Sequence, residues 1–188
     1  DLWDGLSQDL NYNVMFSQRR VINTCHTVGE RETTMRRYNS MRLRGIDAEF
    51  LSREDLARLE PSMNLSMDIR YPVLCALAQP RGGSARHDAV AWGFARAADS
   101  LGVDIIQNCE VTGIDRDQAT GAVTGVQTSR GEIKTGKIGI AVAGHSTKVA
   151  EMAGVRLPIE SHLLQAFVSE PVKPMINTVV STLSLIHI

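Results

Sequence analysis

The stretch from residue 79 to residue 94 constrains the fold most, because two adjacent glycines directly precede a segment with helical periodicity. Gly82 and Gly83 allow the backbone to pass close to a neighbouring group or to take a positive φ, and Ser84 is a favourable N-cap residue. The apolar positions that follow predict the buried face of a helix: Val90, Phe94, Ala97 and Leu101. The sequence therefore predicts a tight glycine turn and then a helix that ends near Gly102.

His87 lies three residues before Val90 and so heads the predicted buried face. The positive end of the helix dipole disfavours an imidazolium in the first turn, and neutral imidazole is the nucleophilic form. A buried histidine that forms a hydrogen bond with Asp88 or with a backbone carbonyl fits the same pattern. Such histidines outnumber catalytic ones, so the residue pattern alone favours a structural role.

Apolar periodicity elsewhere predicts a mixture of helices and strands. Helices are predicted near residues 1–10 and over residues 29–45, the second with a basic solvated face. A third, short helix is predicted to begin after Ser52, which caps it together with Asp55, and to end at Pro61. Residues 14–16 and 20–23 are predicted to form two short strands or one bent strand. Further strands are predicted at residues 48–51, 73–78, 103–106, 110–114, 122–128, 132–134 and 138–143. This order predicts a mixed α/β fold with an open sheet and a β-meander crossover.

Composition excludes several classes of partner. The chain has 188 residues, a formal net charge of −1 and no apolar run near the ~20 residues of a membrane span, so we expect neither a nucleic-acid nor a membrane partner. Cys25, Cys75 and Cys109 lack the spacing of a disulfide framework or a metal site. A reducing cytoplasm fits these cysteines.

Residues 79–94 and 102–113 closely resemble the β subunits of heterotetrameric sarcosine oxidases, and shorter segments at 10–19, 141–146 and 157–170 do so too. In that family the histidine of the Ala-Arg-His-Asp-Ala-Val-Ala-Trp pattern carries FMN covalently, so the resemblance implies that His87 is the attachment residue. It also implies that Val111 lies against a noncovalent FAD. Gly144 follows the apolar run 138–143, at a sheet end where nucleotides bind, and is expected to approach the same FAD. An ordinary strand valine and a loop glycine are the alternatives.

The resemblance implies a function for the whole enzyme. FAD takes a hydride equivalent from the N-methyl amine of sarcosine, and the electrons pass through FMN to oxygen, giving hydrogen peroxide. The expected partners are alpha, gamma and delta subunits. One alternative is a single-flavin, FAD-dependent amine or amino-acid oxidase or dehydrogenase of the same fold. A non-catalytic structural subunit is another.

The resemblance also implies a fragment truncated at both ends, because the chain contains no G-x-G-x-x-G dinucleotide fingerprint. That fingerprint and the catalytic and substrate-binding residues are expected outside the chain, and His26 and His162 are expected to be structural. Residues 1–75 are expected to be mainly substrate or cap domain with an incoming helix, 76–156 part of a Rossmann-like FAD-binding domain, and 157–182 the next strands of an antiparallel substrate domain. Residues 183–188 match the translation of a transposon mosaic end and are expected to be non-native, although their alternation also fits a genuine strand.

Overall fold

The computed structural model describes residues 2–182, so the predicted non-native tail at 183–188 lies outside the described residues. The chain forms two compact units, one of residues up to Val103 together with those from Pro171 onward, and one of Asp104–Glu170. The helices are α1 (Leu2–Asp9), α2 (Val28–Leu43), α3 (Arg53–Leu59), α4 (His87–Ser100), a 3₁₀ helix (Ala143–His145) and α5 (Ser146–Met152). The strands are β1 (Ser17–Gln18), β2 (Val21–Cys25), β3 (Glu49–Leu51), β4 (Cys75–Gln79), β5 (Gly83–Ser84), β6 (Val111–Arg116), β7 (Val123–Thr128), β8 (Gly131–Lys134) and β9 (Val179–Thr182).

A four-stranded sheet organises the first unit. Its strand order is β3-β4-β2-β9, with β4 antiparallel to both of its neighbours and β9 parallel to β2. Four of the five residues of β4 are buried, which confirms the buried strand predicted from its continuous apolar run. The core against this sheet consists of Ile22, Leu51, Leu56, Val73, Ala76 and Ala78.

Capping residues fix the starts of two helices in this unit. The Thr27 hydroxyl accepts a hydrogen bond from the Glu30 N–H, and the Glu30 carboxylate accepts one from the Thr27 N–H at the start of α2. Ser52 and Asp55 form the same reciprocal pair at the start of α3, which confirms the predicted cap.

None of the helices in residues 2–182 is long and apolar enough to cross a membrane.

A three-stranded antiparallel meander, β6-β7-β8, forms the centre of the second unit. The predicted hairpin between β7 and β8 is confirmed, with Gly131 at a φ of +118° where the second strand begins. Helix α5 packs against β6. The Arg116 guanidinium connects these elements, because it donates hydrogen bonds to the carbonyl oxygens of Gly121 and Ala153 at 3.0 and 2.8 Å.

Strands predicted at residues 14–16, 103–106 and 138–143 are wrong. Met15 has a left-handed φ of +54°, which interrupts an extended strand, so the first strand forms two residues later as β1. Residues 103–106 and 138–142 are apolar but irregular, because none of the described strands lies beside them to complete the backbone hydrogen bonds. Apolar character alone does not make a strand without a pairing neighbour.

Helix α4 ends as predicted, with Gly102 just beyond it at a φ of +86°. Its start and its buried face differ from the prediction. The N-cap residue is Arg86, since Ser84 belongs to β5. The helix buries Ala89 and Gly93, whereas Phe94 and Leu101 are 54% and 84% exposed.

Close backbone approach explains which face of α4 is buried. A Cβ atom at Gly93 would lie 3.1 Å from Leu10 Cδ1 and 3.2 Å from Tyr12 Cδ1. The smallest residues of the helix therefore face the segment that follows α1, and the larger apolar residues point elsewhere.

Candidate functional site

A cavity of about 980 Å³ lies in the first unit, beside the glycine turn and the first residue of α4. One side is formed by the turn itself and another by residues 44–47, which follow α2. Trp3 and Phe16 form an aromatic wall, with their ring centroids 5.9 Å apart and their planes inclined by 22°. The lining of the cavity therefore combines backbone, aromatic and charged groups.

Close packing between β1 and β5 holds the glycine turn in place. A Cβ atom at Gly83 would overlap the carbonyl oxygen of Ser17, and one at Gly82 would lie 2.7 Å from Val21 Cγ2. The Arg19 N–H also donates a hydrogen bond to the Gly82 carbonyl at 3.0 Å. Neither glycine has a positive φ. Of the two predicted reasons for glycine here, close approach is therefore the one that applies.

His87 opens α4 and lines this cavity with an exposed side chain. Its imidazole makes no hydrogen bond within residues 2–182. The Asp88 carboxylate accepts hydrogen bonds from Arg86 Nε at 3.1 Å, from Arg86 Nη2 at 2.6 Å and from the Ala89 N–H at 2.9 Å. The bond from Arg86 and then that from the Ala89 N–H hold the pKa of Asp88 below its usual range. The alternative of a buried histidine that bonds Asp88 or a backbone carbonyl is therefore wrong for this structure, because His87 is exposed and its ring bonds neither within the described residues.

The charges around the cavity are mainly positive. Arg44 and Arg81 line it, and Asp47 is the acidic residue of the lining. Asp47 lies 3.9 Å from Arg42, and Arg81 lies 3.7 Å from Asp4. An aromatic wall near guanidinium groups suits a flat ligand that carries negative charge.

Val111 and Gly144, the two predicted FAD contacts, both belong to the second unit. Val111 is the half-buried first residue of β6 and pairs with Thr128 of β7. Gly144 lies in the 3₁₀ helix before α5, and its carbonyl accepts a hydrogen bond from the Ser161 hydroxyl at 2.7 Å. Its predicted position at the end of a strand is wrong, because residues 138–142 form no strand. The structure thus brings His87 together with the glycine turn and places the FAD candidates in the other unit.

The remaining histidine and cysteine residues of the first unit have structural surroundings. His26 Nδ1 lies 3.0 Å from the Tyr71 carbonyl oxygen, and its Nε2 lies 3.0 Å from the Thr24 hydroxyl oxygen, contacts that agree with the predicted structural role. Cys25 and Cys75 face each other across β2 and β4 as buried thiols. Burial raises the pKa of Cys75 to about 12, with smaller contributions from Cys25, so this thiol stays protonated at neutral pH. Residues 2–182 contain no cluster of three potential metal ligands.

Sequence reasoning missed four residues that line the cavity: Trp3, Phe16, Arg44 and Asp47. A sequence signal existed for Arg44, because Gly45 follows it and ends α2 with a φ of +73°, where the chain must turn. The aromatic pair had no comparable signal, since Trp3 and Phe16 belong to separate elements whose packing is tertiary.

The family described as "DAO: FAD dependent oxidoreductase" matches residues 1–185. The chain belongs to this family of FAD-dependent oxidoreductases. It is 57% identical over 180 residues to the sarcosine oxidase subunit beta of Rhizobium meliloti (strain 1021), a match that covers 96% of this chain and 42% of that subunit. It is 51% identical over 179 residues to the sarcosine oxidase subunit beta of an Arthrobacter species, covering 95% of this chain and 44% of that subunit.

Solved structures of two enzymes share the fold. L-proline dehydrogenase from P. horikoshii matches with a TM-score of 0.75 at 22% identity, over 97% of this chain and 47% of that one. Glycine oxidase from Bacillus cereus matches with a TM-score of 0.60 at 25% identity, over 80% of this chain and 39% of that one. These likenesses confirm the predicted α/β flavoprotein fold class. The chain spans less than half the length of the curated subunits it matches.

Proposed function

We propose that this chain is part of the flavin-binding β subunit of a sarcosine oxidase. In the whole enzyme, FAD oxidises the N-methyl amine of sarcosine, and the electrons leave through FMN bound to His87 and reduce oxygen to hydrogen peroxide. The observation that carries the proposal is the His87 imidazole, which lines a cavity with an aromatic wall and has no hydrogen bond within the described residues. The proposal is also supported by the 57% identity of this chain to a protein named sarcosine oxidase subunit beta.

The cavity fits a flavin mononucleotide in size and in chemistry. Its volume of about 980 Å³ lies near the upper end of the roughly 300–1,000 Å³ of cofactor sites. His87 would hold the ring system covalently, with the Trp3–Phe16 pair beside it and the turn at Gly82 and Gly83 forming the backbone side. FMN supplies redox chemistry that no amino-acid side chain offers.

His87 would hold the FMN through a covalent bond from its imidazole, and this side chain would supply the nucleophilic nitrogen for that bond. The imidazole substituent withdraws electron density, so it favours electron transfer toward the FMN.

The second unit contains the two residues that we assign to the FAD site. We propose that Val111 and Gly144 approach the FAD, and that residues 76–156 belong to the FAD-binding domain, with 1–75 and 157–182 contributing to the substrate domain. The enzyme would assemble with alpha, gamma and delta subunits. We place it in the cytoplasm, where free thiols such as those of Cys25, Cys75 and Cys109 stay reduced.

A single-flavin oxidase or dehydrogenase of the same fold is the second candidate. Its support is the fold shared with L-proline dehydrogenase at a TM-score of 0.75. A single-flavin enzyme would not use the exposed imidazole of His87 for covalent attachment. The role of this residue therefore distinguishes the two candidates.

Replacing His87 by alanine separates the candidates. In the full-length enzyme assembled with its partner subunits, we expect His87→Ala to abolish acid-stable flavin and to leave FAD extractable, since the substitution leaves the proposed FAD contacts Val111 and Gly144 unaltered. Oxygen-coupled turnover should fall much further than reduction of FAD by sarcosine. Flavin fluorescence on a denaturing gel and the mass of the peptide that contains residue 87 measure the attachment.

The exposed His162 of the second unit supplies the matched control. His162→Ala should keep acid-stable flavin at the wild-type level. Acid-stable flavin at that level in His87→Ala would place the attachment elsewhere and favour a single-flavin enzyme or another attachment residue.

A further inference from the structure

Two arginines approach the cavity from separate elements. Arg44 is the residue that ends α2, and its guanidinium makes no hydrogen bond or ion pair within residues 2–182. Arg81 lies in the turn between β4 and β5 and forms a loose pair with Asp4 at 3.7 Å, with both side chains 46% exposed. Exposed pairs of this kind contribute little to stability, so a stronger anion can compete for Arg81.

The charge balance of the lining favours an anion. The lining contains the guanidinium groups of Arg44 and Arg81 and one carboxylate, that of Asp47. Asp47 has Arg42 at 3.9 Å, and Arg81 has Asp4 at 3.7 Å. A guanidinium presents a planar fork of N–H donors that matches two phosphate oxygens at once. The two arginines therefore provide the charged donors that a phosphate group needs.

The size and shape of the cavity distinguish a phosphorylated flavin from a small amine substrate. An amino acid with one carboxylate needs neither a volume of about 980 Å³ nor the stacked wall of Trp3 and Phe16. A flavin with a phosphorylated side chain uses all of these features together, with its ring near His87 and its phosphate near the arginines.

We propose that Arg44 and Arg81 form the phosphate subsite of this cavity, and that they make it select flavin mononucleotide over unphosphorylated riboflavin. The inference deepens the proposed function and depends on it for the identity of the ligand. It assigns to this chain the residues that recognise the phosphate, in addition to the residue that forms the covalent bond.

Noncovalent binding tests the subsite without relying on covalent attachment. We would use the full-length enzyme, assembled with its partner subunits, in a His87→Ala background, and titrate it with FMN and with riboflavin by fluorescence quenching. FMN should bind more tightly than riboflavin. Arg44→Gln and Arg81→Gln should each lower the ratio of the two affinities about tenfold, because each removes charged hydrogen bonds to phosphate. Riboflavin binding should stay nearly unchanged.

Matched variants keep the test decisive. Arg37 is exposed on the same helix and does not line the cavity, so Arg37→Gln should keep the wild-type ratio. Thermal melting and subunit assembly show that each variant is folded. If a glutamine variant does not assemble, Arg44→Lys and Arg81→Lys replace it, since lysine keeps the charge but loses the bidentate fork, and the ratio should fall by a smaller factor.

Two outcomes would overturn the inference. An unchanged ratio of FMN to riboflavin affinity in the folded Arg44→Gln, Arg81→Gln double variant would place phosphate recognition elsewhere, as would an unchanged ratio in the double lysine variant. The absence of acid-stable flavin on wild-type His87 is a different result. It would contradict the proposed function, while the noncovalent ratio would still decide the role of the two arginines.

Discussion

At the residue scale, Gly83 controls the shape of the cavity because its backbone lies against that of Ser17. A Cβ atom there would overlap the Ser17 carbonyl oxygen, which belongs to the backbone and cannot rotate away. We expect Gly83→Ala to separate β5 from β1 and to destabilise the first unit by about 1–3 kcal/mol, the usual cost of overpacking. Thermal melting of the assembled enzyme and its content of acid-stable flavin measure the two effects, and both should fall.

Gly136→Ala is the control for this substitution. A Cβ atom at Gly136 would meet nothing within 4 Å, so stability and flavin content should stay near the wild-type values. If Gly83→Ala kept the wild-type melting temperature and flavin content, the close approach of the two strands would not matter for the cavity.

The local sequence was enough to predict the positions of some site residues, but not of those that tertiary packing brings to the cavity. The glycine pair and His87 were found because the turn, the helix start and the histidine follow one another within six residues, Gly82 to His87. Ser84 was wrongly predicted as a cap because its backbone pairs with Ser17 instead. Arg44 was assigned to a solvated helix face, since only tertiary packing brings the end of α2 to the cavity.

At the scale of elements, Glu60 joins the end of α3 to the segment that leads into β9. It is only 2% exposed, and its Oε1 accepts hydrogen bonds from the backbone N–H groups of Asn177 and Thr178 at 3.3 and 3.0 Å. Strand β9 then pairs in parallel with β2, far away along the chain. One carboxylate therefore positions an edge strand of the sheet.

We expect Glu60→Ala to leave these two N–H groups without their acceptor and to weaken the docking of β9 by about 1–3 kcal/mol. Hydrogen exchange measured by mass spectrometry should become faster in peptides that cover residues 177–182. Glu60→Gln is the matched variant, because its amide keeps one acceptor oxygen and should have the smaller effect. Equal exchange in wild type and Glu60→Ala would show that strand pairing alone holds β9.

Elements were predictable where the signal was local. The cap at Ser52 and the hairpin that ends at Gly131 depend on neighbouring residues, and both were confirmed. Residues 73–78 and 138–143 are both continuous apolar runs, yet only the first forms a strand. The difference is the presence of β2 and β3 beside β4, which a local pattern does not reveal.

At the scale of the whole molecule, the fold class followed from the order of helices and strands, and the family from the resemblance of residues 79–94 and 102–113. The division into two compact units did not follow, because it depends on which segments return to the same core. Residues from Pro171 onward rejoin the first unit through β9. No pattern within the sequence of β9 itself specifies that pairing.

Several large apolar side chains of the second unit are unusually exposed to solvent. Leu163 is 102% exposed and Phe167 is 84% exposed, and Leu164 and Val168 beside them are exposed as well. Several large apolar side chains exposed within six residues of sequence indicate a segment that another part of the protein or a partner covers. In a chain that spans less than half of its curated relatives, the rest of the subunit is the first candidate for that cover.

We therefore expect the 188-residue chain, produced alone, to bind the dye ANS strongly, to unfold over a broad temperature range and to hold no stoichiometric FAD. The full-length subunit with its partners should bind little ANS and melt cooperatively, because Leu163 and Phe167 would then be covered. Replacing both by serine should lower ANS binding by the isolated chain, and Val28→Ser, at a single exposed valine of the first unit, is the control. A cooperative transition with one FAD per isolated chain would show that this segment is complete for cofactor binding.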